Sequence, residues 1–566
     1  MQRFGSWAVL GLLLAATLAG ALTFDRRSWP GQVGDEATYL MQAQSLAWDF
    51  DLRYSRRDYD RFVEQWRTKP DGLILQSGDG GRTLVYAKPA SYALWIAPFL
   101  RLSPTRGAAI ANVLLLALAA VLAARTLERR LGPAAPLWVA VWIFGSVAFA
   151  YVFWAHADLF LMSLAAIALA LAYGGVEEST GRTALRWAAA GLLLGLVLAA
   201  RPFYGTLLVP AALAVPALRR NLGIAALAAG TIVAVLGSGL THLAETDSWT
   251  PYSGERQSFD AKSGFPEVDL PPGSWQERGA GRGNRSWLPS DMVGTRLTAW
   301  NALYFLTGRD VGILPYFLPF LLGLAAFRRG EGRGALILAA LAAMACFLLT
   351  RPFNFYGGGG AIANRYFLPV YPAFWFAAGR PARAWWGLLA AALAAPFLLA
   401  LWREPRAFLL DESNGYRYVT SAARRLLPFE TTQSHLKPSG GEDLTHNGLW
   451  IKPLSTSLRP EANGALLRLG PAGSGELLVG SSHPLPGLRM IVDPPAPPRI
   501  AISGAEVSAS RLRPRGGSVL LLRLQGPRAV HRMWWSEDEN PVYLYQLRLD
   551  APAGFAFQLQ PLARTP

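Results

Sequence analysis

Long, uncharged apolar runs recur between Trp7 and Leu401, separated by short polar or basic turns. Their length is what assigns them, because a helix pairs its own backbone groups where hydrocarbon offers no water, and each unpaired group there costs several kcal/mol. About eleven runs are long enough to be predicted as spans. They run from Trp7 to Phe24, Arg106 to Ala124, Ala134 to Trp154, Leu159 to Tyr173, Trp187 to Ala200, Phe203 to Leu218, Leu222 to Leu243, Val311 to Phe327, Ala335 to Leu349, Tyr366 to Ala378 and Trp385 to Leu401.

Arginine and lysine prefer the cytoplasmic side of short connections, which fixes an orientation. With the N-terminus inside, the inner turns carry Arg3, then Arg125, Arg129 and Arg130, then Arg182 and Arg186, then Arg219 and Arg220, then Arg328, Arg329 and Arg333, then Arg380 and Arg383. The outer segments are then Gly31 to Pro104, the hinge Ala155-His156-Ala157-Asp158, the turn Arg201-Pro202, the loops Glu245 to Leu297 and Thr350 to Arg365, and everything after Trp402. Ala19-Gly20-Ala21 resembles a signal-peptide cleavage site, but hydrophobic length favours a retained first helix.

The pattern changes within the polar segments. In the first, Leu40, Ala43, Ala47 and Phe50 recur at helical spacing, which predicts an amphipathic helix lying on the membrane rather than a folded domain. The apolar run ending at Leu100 is too short to span comfortably and reads as interfacial or re-entrant. Between Thr246 and Ser290 a Gly/Pro/Arg-rich composition predicts a lid or connector that buries little. Beyond Trp402 the spans stop, and alternating runs such as Leu520, Leu522 and Leu524, and Tyr543, Tyr545, Leu547 and Leu549, signal strands. The expected architecture is an α-helical polytopic membrane domain, 1–402, with outer loops 25–105, 245–297 and 350–365. A helical connector, 403–437, and an antiparallel β-sandwich outside the membrane, 438–566, follow it.

Composition supports the membrane class: 566 residues, 52% hydrophobic, 16% charged, mean hydropathy +0.23 and 20 Trp. Lys plus Arg outnumber Asp plus Glu by 54 − 38 = 16, yet the basic residues punctuate apolar runs instead of forming a stripe, which argues against nucleic acid. The single cysteine, Cys346, excludes an intramolecular disulfide framework and a cysteine metal site.

The candidate chemistry lies at the outer ends of spans. Asp35 and Glu36 follow the first span closely; two acids also suit the first turn of any helix. Lys88 precedes Pro89 and an apolar run, where a lysine commonly snorkels. His156 and Asp158 share one turn; a single His-x-Asp is no metal signature, and a hydrogen-bonded hinge is the simpler role for the histidine. Arg201 precedes Pro202 at a helix end, where a charge is expensive unless used or anchored at headgroups. Asn354 to Phe367 contains Tyr356, four glycines including Gly358 and Gly359, and Asn364-Arg365; amides freed by glycine can turn toward an anion, but the same run also makes a flexible turn. Trp300, Tyr304 and Phe305, and Met533-Trp534-Trp535, offer stacking surfaces for a sugar, although interface belts and β-cores use the same residues.

The ordered set is more specific than its parts. A first span, outer Asp35-Glu36 with Tyr39, Lys88-Pro89 before an apolar hairpin, His156-Ala157-Asp158-Leu159-Phe160 at a turn, and Gly191 to Leu196 closing in Ala200-Arg201-Pro202 resemble the GT-C superfamily, which includes the protein O-mannosyltransferases and the lipid A aminoarabinose transferases. Coverage is best to about residue 220, with a looser echo to 402. The family's Lys-Pro-Pro reads Lys88-Pro89-Ala90 here. The resemblance implies a sugar moved from a polyprenyl phosphate to an extracytoplasmic glycan, lipid or protein acceptor, with inversion. It places Asp35 as base, Glu36 and Asp158 as orienting or metal-assisting acids, and Lys88, Arg201 and Arg365 at the donor phosphate, with Tyr356, Gly358, Gly359, Asn364 and His156 as a substrate loop set. It leaves room for a divalent cation, Mg or Mn, without requiring one. The competing expectations are a lipid or glycan flippase, which would carry charges along a path within its spans, and a non-catalytic glycan-binding envelope scaffold. Arginine and alanine richness points to a bacterial inner membrane, N-terminus cytoplasmic and C-terminal region outside.

Overall fold

The computed structural model describes residues 2–562 apart from 26–34, 79–82, 175–179, 247, 253–255, 272–279, 283–294, 331, 358–360, 382, 406–409, 412–414, 417, 433–443, 447–448, 455–457, 462–465, 472, 493–499, 513–517, 528 and 533–540. The chain divides into two units: 1–292 with 313–350 and 362–406, and 293–312 with 351–361 and 407–566.

In the first unit, six helices among the described residues are long and apolar enough to cross a membrane, where the sequence predicts about eleven spans. They are Phe4–Thr23, Gly107–Phe144, Thr180–Ala200, Arg220–Glu245, Arg333–Thr350 and Ala384–Arg403. Gly107–Phe144 is two helices, α5 (Gly107–Leu131) and α6 (Ala135–Phe144), joined through Gly132 at φ 75°, a backbone conformation that glycine adopts without strain. Ala157–Tyr173 (α7) is a shorter apolar helix. The runs that begin at Phe203, Val311 and Tyr366 are successions of shorter helical elements: Pro202–Leu207, Leu208–Leu213 and Ala217–Arg219; Ile313–Tyr316 and Phe320–Ala325; and Arg365–Val370 and Tyr371–Ala377.

α8 (Thr180–Ala200) and α10 (Arg220–Glu245) pack closely through glycine. A Cβ on Gly230 would lie 2.0 Å from the Ala188 carbonyl oxygen, and one on Gly191 would lie 2.0 Å from that of Leu227. Small residues allow backbones to approach this closely. Gly230→Val is therefore expected to cost about 1–3 kcal/mol through overpacking, measured as a lowered thermal midpoint in detergent. Gly237→Val on the same helix, where the added Cβ meets nothing within 4 Å, should leave the midpoint unchanged.

The polar segments pack more than their composition suggests. Asp35–Trp48 (α2) is buried on nearly every face rather than lying amphipathically on a membrane. Its polar side chains are used inside: Thr38 accepts from the Ile74 amide at 3.0 Å, and Gln42 donates to the Lys88 carbonyl at 3.0 Å. Apolar periodicity misses a helix whose polar face is satisfied by neighbouring backbone. Beside it, β1 (Arg53–Tyr54), β2 (Leu73–Gly78) and β3 (Thr83–Tyr86) join β4 (Arg256–Phe259) and β5 (Ala280–Arg282) in one antiparallel sheet of order β1-β3-β2-β4-β5. The first polar segment is thus a folded element, and the described part of the second completes its sheet and buries Phe259, Phe265 and Leu270.

Beyond residue 443, the described residues of the second unit form two antiparallel sheets. One orders Leu458–Pro460, Leu467–Leu469, Ala556–Pro561, Gly487–Val492, Ser518–Leu524 and Ala505–Leu512; the other orders Ala501–Ser503, Pro541–Asp550, Ser474–Ser481, Leu449–Pro453 and Leu444–His446, with Ala529–Arg532 on Pro541–Asp550. Leu477, Val479, Leu547 and Leu549 of the second sheet share a hydrophobic cluster with Met490, Leu522, Phe557 and Leu559 of the first. Tyr304 and Phe305 are buried in this unit, Tyr304 hydrogen bonding Thr431 at 3.0 Å, so both serve as core and not as an exposed stacking surface. Met533-Trp534-Trp535 lies outside the described residues. Within 403–437 the regular elements described are one short helix, Ser421–Leu426, and the two-residue strands Leu410–Asp411 and Gly415–Tyr416.

Candidate active site

Four stretches far apart in sequence meet at the first turn of α2, all within the first unit. Asp35 opens that helix. Lys88, from the bend after β3, donates to Asp35 Oδ1. His156, immediately before α7, places Nε2 3.0 Å from Asp35 Oδ2, and Arg365, from the turn Arg365–Val370, places a terminal guanidinium nitrogen 3.2 Å from the same oxygen. The turn is set by Asn364, whose Oδ1 accepts from the Tyr366 amide at 3.1 Å.

A second carboxylate lies behind. Asp158 is fully buried, with Oδ1 2.5 Å from an Arg201 guanidinium nitrogen and Oδ2 2.7 Å from His156 Nδ1. Arg201 stacks over Tyr366 at 4.4 Å, and Arg365 approaches the same ring at 5.3 Å. Glu36 points elsewhere: its Oε1 accepts from the Ala155 amide at 3.2 Å and fastens the start of α2 to the His156 hinge. The side chain of Asp35 is 21% exposed against 0% for Asp158 and 1% for His156, so Asp35 is the acid an incoming molecule can touch.

The electrostatics follow from this crowding. Burial opposes the charged form of Asp35, but the Lys88 ammonium, the His156 hydrogen bond and Arg365 together outweigh it and hold the carboxyl well below its usual range. Burial pulls the Lys88 ammonium down to about 8, against the attraction of Asp35. At 7% exposure this lysine is held inside the protein and does not snorkel.

Asp35, Lys88, His156, Asp158, Arg201 and Arg365 therefore converge, with Asn364 as a cap and Glu36 as a brace. Tyr356 belongs to the second unit, and Gly358 and Gly359 lie outside the described residues. The described residues hold no group of three or more His, Cys, Asp or Glu side chains able to grip one metal ion; Asp35 and Asp158 face opposite ends of the imidazole and pair with cations instead. Sequence reasoning missed Arg256, which donates to the Ala87 carbonyl at 3.1 Å beside Lys88 and lies 5.2 Å over Tyr252. Its only signal was a place in a loop that turns out to be a strand.

Fold and site together describe a multi-helix protein suited to a membrane, with a buried acid and cation cluster where extramembrane segments meet helix ends. Among solved structures the chain is similar to ArnT from Cupriavidus metallidurans bound to undecaprenyl phosphate, at 18% identity and TM-score 0.41 over 69% of this chain and 64% of that one. It is also similar to ArnT from the same organism in the apo state, at 15% identity and TM-score 0.41 over 73% and 66%. The chain spans slightly less than two thirds of either structure's length. No protein-family model and no curated protein matches it.

Proposed function

We propose that this chain is a bacterial inner-membrane glycosyltransferase that moves a sugar from a polyprenyl-phosphate donor to an extracytoplasmic acceptor with inversion. The observation that carries the reading is the meeting of one reachable carboxylate, Asp35, with Lys88 and Arg365. A lipid-linked phosphate needs cations at the edge of the membrane, and a hydroxyl attacking the anomeric carbon needs a base beside it. Lys88 and Arg365 take the phosphate and neutralise charge as it departs. Asp35 receives the acceptor proton. Arg201, engaged with buried Asp158 and stacked on Tyr366, holds the wall of the site from behind.

The test is transfer by the purified chain, reconstituted in liposomes with a panel of radiolabelled polyprenyl-phosphate sugars and an envelope extract as acceptor source. Release of polyprenyl phosphate with a labelled product supports the reading. Movement of donor across the bilayer without product would favour a flippase, and neither would favour a scaffold.

A pH dependence follows. Only protonated Lys88 can pair an anion, and its proton is lost as pH rises through about 8. Since kcat/KM reports groups of the free enzyme, kcat/KM for the donor should fall above that pH. Lys88→Arg should move this limb to higher pH, because guanidinium stays protonated; an unmoved limb contradicts the assignment.

A further inference from the structure

Tyr39 stands one turn beyond Asp35 on α2, and residues four apart share a helix face, so its side chain enters the same cluster. Its ring is fixed by three neighbours: Tyr92 meets it edge-on at 5.3 Å, His156 edge-on at 5.4 Å, and Lys88 Nζ lies 5.7 Å from its centre. The residue is 2% exposed, yet among the described residues no donor or acceptor lies within hydrogen-bond distance of its hydroxyl. Tyr92, beside it, shows the ordinary arrangement, with its hydroxyl donating to Asn112 Oδ1 at 3.3 Å. A buried hydroxyl without a partner is costly, and one whose ring is held this firmly calls for an explanation. Burial, then Tyr252 and Asp35, hold the Tyr39 phenol well above its usual pKa, so the group is neutral and keeps its proton. A neutral O–H cannot balance a phosphate charge, a task that falls to Lys88 and Arg365, but it can donate to an alcohol and accept from one. In the donor the sugar is bonded directly to the phosphate. A phosphate on Lys88 therefore brings that sugar beside Tyr39.

We propose that Tyr39 is a specificity-determining residue whose hydroxyl hydrogen-bonds one hydroxyl of the transferred sugar and so holds the sugar ring with its anomeric carbon toward Asp35. This rests on the glycosyl-transfer reading above. The carboxylate and the phenol, one helical turn apart, act on the same sugar, one at the reacting centre and the other at a ring substituent. Tyr39 makes and breaks no covalent bond. A donor whose sugar lacks the matching hydroxyl leaves the phenol buried without a partner, and that unmet group is what rejects it.

Tyr39→Phe isolates the hydroxyl, because phenylalanine keeps the ring and its contacts with Tyr92, His156 and Lys88. Expected is a fall in kcat/KM of about 10-fold for the best-transferred sugar of the polyprenyl-phosphate panel, with binding of sugar-free polyprenyl phosphate unchanged. Donors lacking one sugar hydroxyl each supply the second arm. The unmodified chain should lose about 10-fold on one of them, and Tyr39→Phe should transfer that donor and its parent equally well. Equal kcat/KM in the two chains, or a Tyr39→Phe penalty that is the same for the parent and every deoxygenated donor, overturns the proposal. So does weaker binding of sugar-free polyprenyl phosphate by the variant, which would place the effect of the hydroxyl at the phosphate. A lowered thermal midpoint or failed folding of unliganded Tyr39→Phe would show that the hydroxyl has a partner inside the protein, and overturns it as well. Absence of any transfer by the unmodified chain would instead remove the glycosyltransferase reading and this role with it.

Discussion

Asp35→Asn is expected to lower sugar transfer by about 10²–10⁴-fold while the chain folds and binds donor as before. The amide keeps the size of the carboxylate and one acceptor oxygen for Lys88, but it cannot take a proton. Its effect on folding should be small, because the side chain is the most exposed of the acids and histidine in the cluster and leaves the Asp158–Arg201 pair intact. Donor affinity should hold or rise, since neutralising Asp35 frees Lys88 and Arg365 for phosphate. A parallel fall in donor binding and kcat would mean that Asp35 builds the pocket and does not act in it. The two outcomes separate in an equilibrium binding measurement with a non-transferable donor analogue, read beside single-turnover rates.

Lys88→Met is the second large effect. The ammonium lies inside the protein against Asp35, with the Tyr39 ring 5.7 Å away, so methionine fills a similar volume without charge. Removing a preorganised charge that stabilises a departing oxyanion costs about 10²–10³-fold in kcat. Donor KM should rise as well, because the same group meets the ground-state phosphate. Arg365→Met should lose activity more steeply, since that guanidinium also contacts Asp35, His156 and the Tyr366 ring. Wild-type kinetics in Lys88→Met would remove the phosphate role from this lysine.

Much of the membrane framework was legible, because span length follows from one physical requirement, internal pairing of the backbone in lipid. The runs at Phe203, Val311 and Tyr366 are apolar enough to be read as spans but fold as successions of shorter helical elements, which hydropathy alone does not register. Charged residues at span ends were also legible, because such charges are costly unless used. Their pairing was not. Nothing local in Ala200-Arg201-Pro202 reveals that Arg201 meets Asp158, 43 residues earlier, or that one tyrosine, Tyr366, underlies both Arg201 and Arg365. Glu36 looked like the twin of Asp35, yet neighbours on a helix point about 100° apart, and that rotation sends it to the Ala155 amide. The sheet uniting β2 with β4 joins segments about 180 residues apart, and the β4 stretch shows little of the alternation that marks strands.

The central claim is that Asp35, Lys88 and Arg365 form one donor site. A structure of the chain with a non-hydrolysable polyprenyl-phosphate sugar analogue tests it most directly. The account predicts phosphate oxygens within hydrogen-bond distance of Lys88 Nζ and the Arg365 guanidinium, with the anomeric carbon facing Asp35. A phosphate held elsewhere, with Lys88 and Arg365 still closed on Asp35, would contradict it.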